Sequence, residues 1–312
     1  GRRIAEVLRR AALRGVRTHV LIDGFGSNGL PKTMVEFLEA AGVMVLRFRP
    51  KVSPWTLKRQ RLRRLHRKIV VVDQQMAFVG GINIIDDMSM PGETSPRYDY
   101  AVSVEGPLVK EIHDSARRVW RRVARTHLRS WWSRDKDRQA PLNEPMGRMC
   151  AAFLVRDNIR HRRDIEDAYL QAIGQAKFEI ILANAYFFPG LNFRHALLDA
   201  ARRGVRVILL LQGKVEYRLL HYASHALYGS FLDAGIETYE YHKSLMHTKV
   251  AVIDEHWATV GSSNLDPLSL LLALEANVVV MDEDFARDLK GSLEAAIKAG
   301  ARRVFKRNLR TQ

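Results

Sequence analysis

The chain has 312 residues, of which 47% are hydrophobic and 27% charged, and a soluble chain of this length can bury the cores of about one to three domains. Lysine and arginine number 50 against 34 aspartate and glutamate residues, and this formal charge of +16 favours polyanionic partners such as nucleic acid, anionic lipid or phosphorylated substrates. The one cysteine, Cys150, excludes an intramolecular disulfide and argues against a cysteine-based zinc or redox centre. No apolar run reaches the ~20 residues that a bilayer-spanning helix needs.

Helices and strands alternate along the chain in two similar copies. The sequence Arg-Gly-Val-Arg follows a helical stretch at residues 14–17 and again at residues 203–206. The first copy continues with predicted strands at 18–23, 43–47 and 69–72, and the second with strands at 207–212, 237–241 and 250–253. Between the first two strands of each set lies a helix that ends in Ala-Gly, at 42 and at 235. This alternation predicts an α/β fold with largely buried sheets.

The two copies differ at their beginnings. The second copy starts with a predicted helix at 164–176 and a strand at 178–186, for which the first copy has no equivalent. We therefore expect that a segment of this size is missing from the N-terminus and that the first sheet is incomplete. A charged stretch with two prolines at 133–148 predicts the boundary, giving a first domain at 1–145 and a second at 146–312.

A histidine–lysine–aspartate motif of the form His-x-Lys-x4-Asp occurs once in each copy. The two sets are His66, Lys68 and Asp73 in the first copy and His247, Lys249 and Asp254 in the second. Each member of the second set lies 181 positions after its counterpart (247 − 66). Asn83 and Asn264 keep the same offset (264 − 83), so the two copies are in register through the whole segment.

The spacing within the motif has a direct chemical use. Alternate side chains of a strand share a face, so the histidine and the lysine two positions later point the same way. An imidazole can attack phosphorus while the neighbouring ammonium offsets the charge of the phosphate oxygens. The aspartate closes the strand and can hold a charged network, and the asparagine amide can donate hydrogen bonds to phosphate. One such histidine alone would be read as an ordinary core or surface residue, whereas two in register favour a catalytic pair.

Each copy also carries a further acid in front of an apolar strand. Asp99 lies 33 positions after His66, and Glu275 lies 28 positions after His247. A carboxylate bonded to the far ring nitrogen would fix the histidine tautomer and stabilise the imidazolium. We expect Asp99 to contact His66 and Glu275 to contact His247.

The doubled motif resembles the phospholipase D superfamily. Longer strings resemble the bacterial cardiolipin synthases, and the B-type branch in particular. These strings are LHRKIVVVD at 65–73, ANAYFFPG at 183–190, HWATVGSSNLDPLSL at 256–270 and LEANV at 274–278. The resemblance extends over nearly the whole chain.

The resemblance implies two α/β domains related by a pseudo-twofold axis, with the active site in the cleft between them and with neither metal nor cofactor. The implied activity joins a phosphatidyl group to phosphatidylglycerol through a phosphohistidine, with His66 as nucleophile and His247 as general acid and base. The implied site residues are His66, Lys68, Asp73, Asp99, His247, Lys249, Asp254 and Glu275 for catalysis, with Asn83, Ser262 and Asn264 for phosphate binding. Gly81 replaces Ser262 in the first copy, so a hydroxyl is available on one side only.

Two other functions use the same features. A nuclease of the superfamily would share the chemistry and use the positive charge to bind DNA, and a catalytically inactive lipid-binding protein would need no intact motif. The lipid enzyme would have anionic phospholipids and a membrane surface as partners, in an oligomeric state that the sequence leaves open. Its expected place is the periphery of the bacterial inner membrane, on the cytoplasmic face.

Two groups of side chains can be interpreted either as membrane-contacting or as ordinary solvated or core residues. A dense set of cations precedes His66 and forms either a solvated loop or a collar for anionic headgroups. Its members are Arg47, Arg49, Lys51, Lys58, Arg59, Arg61, Arg63 and Arg64. Three tryptophans among arginines either anchor the protein at a membrane interface or pack in the core. They are Trp120, Trp131 and Trp132.

Overall fold

A computed structural model describes residues 1–49, 64–85, 96–127, 144–145, 147–157, 160–214, 218–266 and 273–306. The first half contains α1 Arg2–Leu13, β1 His19–Asp23, α2 Lys32–Glu39, β2 Met44–Phe48, β3 Arg64–Leu65, β4 Lys68–Val72, β5 Met76–Gly80, β6 Ala101–Glu105 and α3 Leu108–Thr126. The second half contains β7 Cys150–Arg156, α4 Asp164–Gln175, β8 Glu179–Asn184, α5 Leu191–Arg202, β9 Arg206–Gln212, α6 Arg218–Asp233, β10 Glu237–Tyr241, β11 Lys249–Ile253, β12 Trp257–Gly261, β13 Ala273–Met281, α7 Glu283–Gly300 and β14 Ala301–Arg303. The predicted alternation of helices and strands is confirmed, and the strand bounds differ from the predicted ones by a few residues at most.

The second half is built on a nine-stranded sheet. Eight strands follow the order β14-β10-β9-β8-β11-β12-β13-β3, and the ninth, β7, pairs with β13. Strand β8 lies at its centre, parallel to β9 and antiparallel to β11. Both faces of the central strands are buried, because α4 and α5 contribute to the core on one face and α7 to the core on the other. Burial on two faces explains the continuous apolar runs of these strands.

The strands of the first half form two smaller sheets. Strands β1 and β2 pair in parallel, and β4, β5 and β6 form an antiparallel sheet. In the second half β8 lies between β9 and β11, and among the described residues no strand takes the equivalent place between β1 and β4. Val70 and Val72 of β4 are exposed. That the first sheet lacks a segment stays a prediction.

The two halves are joined through β13. Its first residues pair in parallel with β3 of the first half, with Leu274 opposite Leu65. Its apolar side chains Ala276 and Val278 share a buried cluster with Ala77 of β5. A strand of the second half thus lies against the first half, at the point where the first histidine motif begins.

Trp120 of α3 is a core residue. It is buried with Leu46 and Phe48 of β2, and its ring lies nearly perpendicular to that of His19, with 4.8 Å between the ring centroids. Of the two interpretations of the tryptophans, core packing is therefore the correct one for Trp120. The other two tryptophans and the basic residues Lys51, Lys58, Arg59, Arg61 and Arg63 lie outside the described residues. The domain boundary at 145 stays a prediction. Within the described part of the chain, no helix has the length and hydropathy of a membrane span.

Candidate active site

The two motif histidines face each other across the interface between the halves. Their ring centroids are 6.5 Å apart, and the ring planes are inclined by 67°. Each backbone is held by the other half, because His66 N donates to Leu274 O at 3.0 Å and His247 N donates to Tyr98 O at 2.8 Å. The predicted meeting of the two histidines in one site is confirmed.

The acids that orient the two rings are exchanged between the halves. Nδ1 of His66 lies 3.0 Å from Oε2 of Glu275, and Nδ1 of His247 lies 2.7 Å from Oδ2 of Asp99. The prediction that each acid serves the histidine of its own copy is wrong. The reason is the packing of the halves, since β13 brings Glu275 to the first motif and the segment before β6 brings Asp99 to the second.

Because each carboxylate lies at Nδ1, the same atom of both rings, Nε2, is left for the substrate. A carboxylate at Nδ1 fixes the tautomer and the orientation of an imidazole. Nε2 of His66 and Nε2 of His247 are then the nitrogens that can react. A site with two such nitrogens on one phosphate can supply a nucleophile and a proton donor together.

The motif lysines lie beside their histidines. Lys68 Nζ donates to the backbone oxygen of His66 at 2.7 Å, and Lys249 Nζ donates to that of His247. Burial lowers the pKa of Lys68 to about 8, although the carboxylates of Glu275 and Asp99 oppose this shift. The predicted arrangement of histidine and lysine on one side of each strand is confirmed.

The two histidines differ in their surroundings. The side chain of His66 is 30% exposed, whereas that of His247 is 7% exposed. Burial, and next the positive charge of Lys249, lower the pKa of His247 to about 3, against the opposing effect of Asp99. Burial therefore favours the neutral form of His247.

Glu275 is a fully buried carboxylate that remains ionised. Burial alone would raise its pKa, but His66, Lys68 and the hydroxyl of Ser262 together hold the pKa of Glu275 below its usual value. Ser262 Oγ donates to Glu275 Oε2 at 2.6 Å and accepts from Ala276 N at 3.0 Å. The hydroxyl of Ser262 thus holds Glu275, and its predicted contact with phosphate would require it to release that carboxylate.

Gly81 takes the place of Ser262 in the first copy for a steric reason. A Cβ atom at Gly81 would collide with the carboxylate of Asp99, which lies directly against the Gly81 backbone. In the second copy this position carries the side chain of Ser262, which binds Glu275. In the first copy the carboxylate of Asp99 fills the space that such a side chain would need. The asymmetry noticed in the sequence reflects how closely Asp99 packs.

Substitution Gly81→Ala is expected to displace Asp99 from His247. We expect a loss of kcat of about 10–100-fold, because a shift of about 1 Å in a catalytic group can cost 100-fold. The measurement is kcat for a soluble phosphodiester, with Ser262→Ala as the matched control. Ser262→Ala changes the equivalent position of the second copy without adding a Cβ atom, so it should lose less activity than Gly81→Ala. Equal kcat for Gly81→Ala and the wild type would contradict the steric argument.

The motif aspartates lie at the far ends of their strands, away from the histidines. Asp73 and Asp254 begin the turns after β4 and β11, and each has a positive φ of 51°. Asp254 accepts backbone N–H groups from Lys177, Phe178 and Glu179, each at 2.8 Å. Seven positions along an extended chain separate each aspartate from its histidine by roughly 20 Å, so neither carboxylate reaches the imidazole of its own motif. Their catalytic role stays a prediction. Asp254 fixes the start of β8.

The two asparagines follow equivalent strands. Asn264 comes after β12 and is buried, and Asn83 comes after β5 and is half-buried. Their predicted contacts with a substrate phosphate stay a prediction. Among the described residues, no group of three or more His, Cys, Asp or Glu side chains is placed to hold a metal ion.

One residue of the site was missed in the sequence analysis. Arg67 lies between His66 and Lys68, and its guanidinium donates to the backbone oxygen of Glu275 at 2.8 Å. Its position in the motif could have indicated this contact, since a residue between two that share one strand face points to the opposite face. The counterpart in the second motif is Thr248, so the repeat itself gave no indication.

Comparison with known proteins places this geometry in a family. The family described as "Cardiolipin synthase, PLD-like domain" matches residues 1–120 and 169–297. Cardiolipin synthase B of Salmonella typhimurium strain LT2 is 43% identical over 304 residues, which cover 97% of this chain and 73% of that protein. Cardiolipin synthase B of Escherichia coli K12 is 42% identical over 305 residues, with the same coverage of both proteins. The B-type resemblance stated from the sequence is confirmed.

A solved structure shares the fold across both halves. The crystal structure of phosphatidylserine synthase from Haemophilus influenzae Rd KW20 matches 96% of this chain and 78% of its own, with a TM-score of 0.66. The sequences are 12% identical, so this likeness concerns the fold alone. It shows that the shared fold extends over both halves.

Proposed function

Because this chain belongs to the cardiolipin synthase family with phospholipase D-like domains, we propose that it is a phosphatidyltransferase that joins a phosphatidyl group to phosphatidylglycerol. The observation that carries the proposal is the pair of imidazoles with centroids 6.5 Å apart, each oriented by a carboxylate of the opposite half. Both nitrogens needed for a two-step transfer are thereby close enough to act on one substrate phosphate.

The first step forms a phosphohistidine. Nε2 of His66 attacks the phosphorus of the donor phospholipid, the bond from phosphorus to the leaving alcohol oxygen breaks, and that oxygen takes a proton from His247. In the second step His247 accepts the proton of a glycerol hydroxyl of phosphatidylglycerol. The hydroxyl oxygen attacks phosphorus and releases Nε2 of His66. Lys68 and Lys249 offset the charge on the phosphate oxygens in both steps.

The substrates imply where the protein works. Phosphatidylglycerol is an anionic lipid of a membrane surface, and the formal charge of +16 favours attraction to such a surface. We place the protein at the periphery of the bacterial inner membrane, on the cytoplasmic face. The reaction as written requires no metal or cofactor, since the two lysines supply the positive charge.

The test is product analysis with labelled lipid vesicles. The protein is incubated with vesicles of labelled phosphatidylglycerol, with and without phosphatidylethanolamine, and the lipid products are separated and identified. Labelled cardiolipin is the expected product, and the comparison of the two vesicle types identifies the donor. Labelled phosphatidic acid alone would indicate a hydrolase. Cleavage of DNA without any change in the lipids would support the nuclease alternative.

The rate is expected to fall above pH 8 as Lys68 loses its proton. The pKa of Lys68 is lowered to about 8, and a neutral amine no longer offsets the phosphate charge. For a soluble phosphodiester, kcat/KM should therefore decline above about pH 8. The limb in kcat should lie at higher pH, because a bound anion raises the pKa of the lysine. A profile of kcat/KM that stays flat to about pH 9.5 would contradict this role.

A further inference from the structure

Arg67 lies in the first motif but points away from the reacting atoms. His66 and Lys68, on either side of it, share the face of the strand that carries the chemistry. The guanidinium of Arg67 enters the interface between the halves, and burial lowers the pKa of Arg67 to about 10, so it is charged at neutral pH. An arginine removed from water in this way needs several well-placed acceptors.

Three different elements supply those acceptors. Arg67 Nε donates to Glu275 O at 2.8 Å, one terminal nitrogen donates to Ser115 Oγ at 3.1 Å, and the other donates to Arg156 O at 3.0 Å. Ser115 belongs to α3 of the first half. Glu275 and Arg156 are opposite residues of β13 and β7 in the second half. One planar guanidinium thus fixes two strands of the second half to the strand end that carries His66.

The first motif therefore holds Glu275 at two points. The ring of His66 contacts its carboxylate at 3.0 Å, and the next residue, Arg67, binds its backbone oxygen. A carboxylate with a fixed backbone has few ways to leave the imidazole. The guanidinium charge also attracts Glu275 directly, and this attraction opposes the effect of burial on the pKa of Arg67.

The second motif has no such arrangement. Thr248 occupies the position of Arg67 and is fully buried. The acid of that motif, Asp99, instead accepts a hydrogen bond from the backbone N–H of the next residue, Tyr100, at 2.8 Å. In the described part of the structure, the side chain between the motif histidine and lysine therefore anchors the orienting acid at His66, where that side chain is Arg67.

We propose that Arg67 is a positioning residue that holds the peptide of Glu275 across the interface, so that the Glu275 carboxylate orients His66 for its part in the transfer. The proposal rests on the proposed function for its kinetic consequence. Its structural consequence, a change in the ring environment of His66, can be measured without any activity.

The test compares Arg67→Met, Arg67→Lys and the matched control Thr248→Val. Proteins labelled with ¹⁵N-histidine are compared by NMR, and the His66 signals are assigned by their absence in His66→Ala. In Arg67→Met the Nδ1 signal of His66 should move toward that of a ring without a carboxylate partner. The Nδ1 signal of His247 should stay in place. Thr248→Val should leave both signals unchanged.

The kinetic measurement uses a soluble phosphodiester. Arg67→Met should lower kcat by about 10–100-fold with KM nearly unchanged, because misorientation affects the reacting geometry more than binding. Arg67→Lys keeps a buried charge that reaches fewer acceptors and should lie between Arg67→Met and the wild type. This second variant also keeps the test valid if Arg67→Met fails to fold.

Three results would overturn the proposal. One is a folded Arg67→Met with an unchanged His66 signal and an unchanged kcat. Another, if Arg67→Met does not fold, is an Arg67→Lys variant with an unchanged His66 signal and an unchanged kcat. A third is an equal shift of the His66 and His247 signals, which would indicate general loosening of the interface. If the His66 signal shifts in Arg67→Met but the wild-type protein itself shows no transferase activity, the positioning role is supported and the proposed function is contradicted.

Discussion

His66→Ala and His247→Ala are each expected to lower cardiolipin formation by about 10⁴-fold or more. Loss of either imidazole removes the nucleophile or the proton transfer, and single losses within a catalytic set of this kind cost up to ~10⁶ in kcat. The measurement is the rate of labelled cardiolipin formation on phosphatidylglycerol vesicles. Asp73→Asn is a suitable control, since that side chain lies at the far end of β4. A loss below about tenfold in either histidine variant would contradict a shared site.

The two variants should differ once the leaving group needs no proton. A nitrophenyl phosphodiester leaves with little acid assistance, so His247→Ala should still form the phosphoenzyme with this substrate. His66→Ala should form none. The lowered pKa of His247, about 3, means that its acid role requires a bound phosphate anion, which raises the pKa of a neighbouring imidazole. Phosphoenzyme in His66→Ala but not in His247→Ala would reverse the roles of the two residues.

Glu275→Gln and Asp99→Asn are expected to give the second largest effects. Each replacement keeps the shape of the side chain but offers an N–H to Nδ1, which favours the wrong tautomer, and a comparable change in a catalytic triad costs about 10⁴ in kcat. Each should lower kcat for a soluble phosphodiester by about 10³–10⁴-fold.

The exchange of acids between the halves makes this prediction specific. Glu275→Gln should alter the ¹⁵N signals of His66, and Asp99→Asn should alter those of His247. The matched control is Asp254→Asn, which weakens the anchoring of β8. This variant should lower the melting temperature and leave kcat nearly unchanged. If Glu275→Gln altered His247 and left His66 unchanged, the crossed arrangement would be wrong.

The sequence predicted those parts of the site that depend on short-range spacing. His66 and Lys68 are two positions apart, and strand geometry alone places them on one side. The agreement of both motifs in register, from His66 and His247 to Asn83 and Asn264, was enough to predict one shared site. The α/β alternation followed equally from local apolar periodicity.

The remaining parts depend on how the halves pack. Aligning the two copies places Asp99 with His66, but the structure exchanges the acids, because β13 crosses to the first half. The contact of Asp254 with the start of β8 joins residues 76 positions apart, which no local pattern predicts. Arg67 has no counterpart in the second motif, so its contacts with the second half could not be inferred from the repeat.

Identification of the phosphorylated residue tests whether the transfer passes through the two histidines. The protein is mixed with a nitrophenyl phosphodiester, quenched within one turnover, digested under conditions that preserve phosphohistidine, and analysed by mass spectrometry. We expect the substrate-derived phosphoryl group on the peptide that contains His66, in the wild type and in His247→Ala. Phosphoryl groups on neither histidine peptide, while the protein still turned over substrate, would contradict a transfer through two histidines that face each other across the interface.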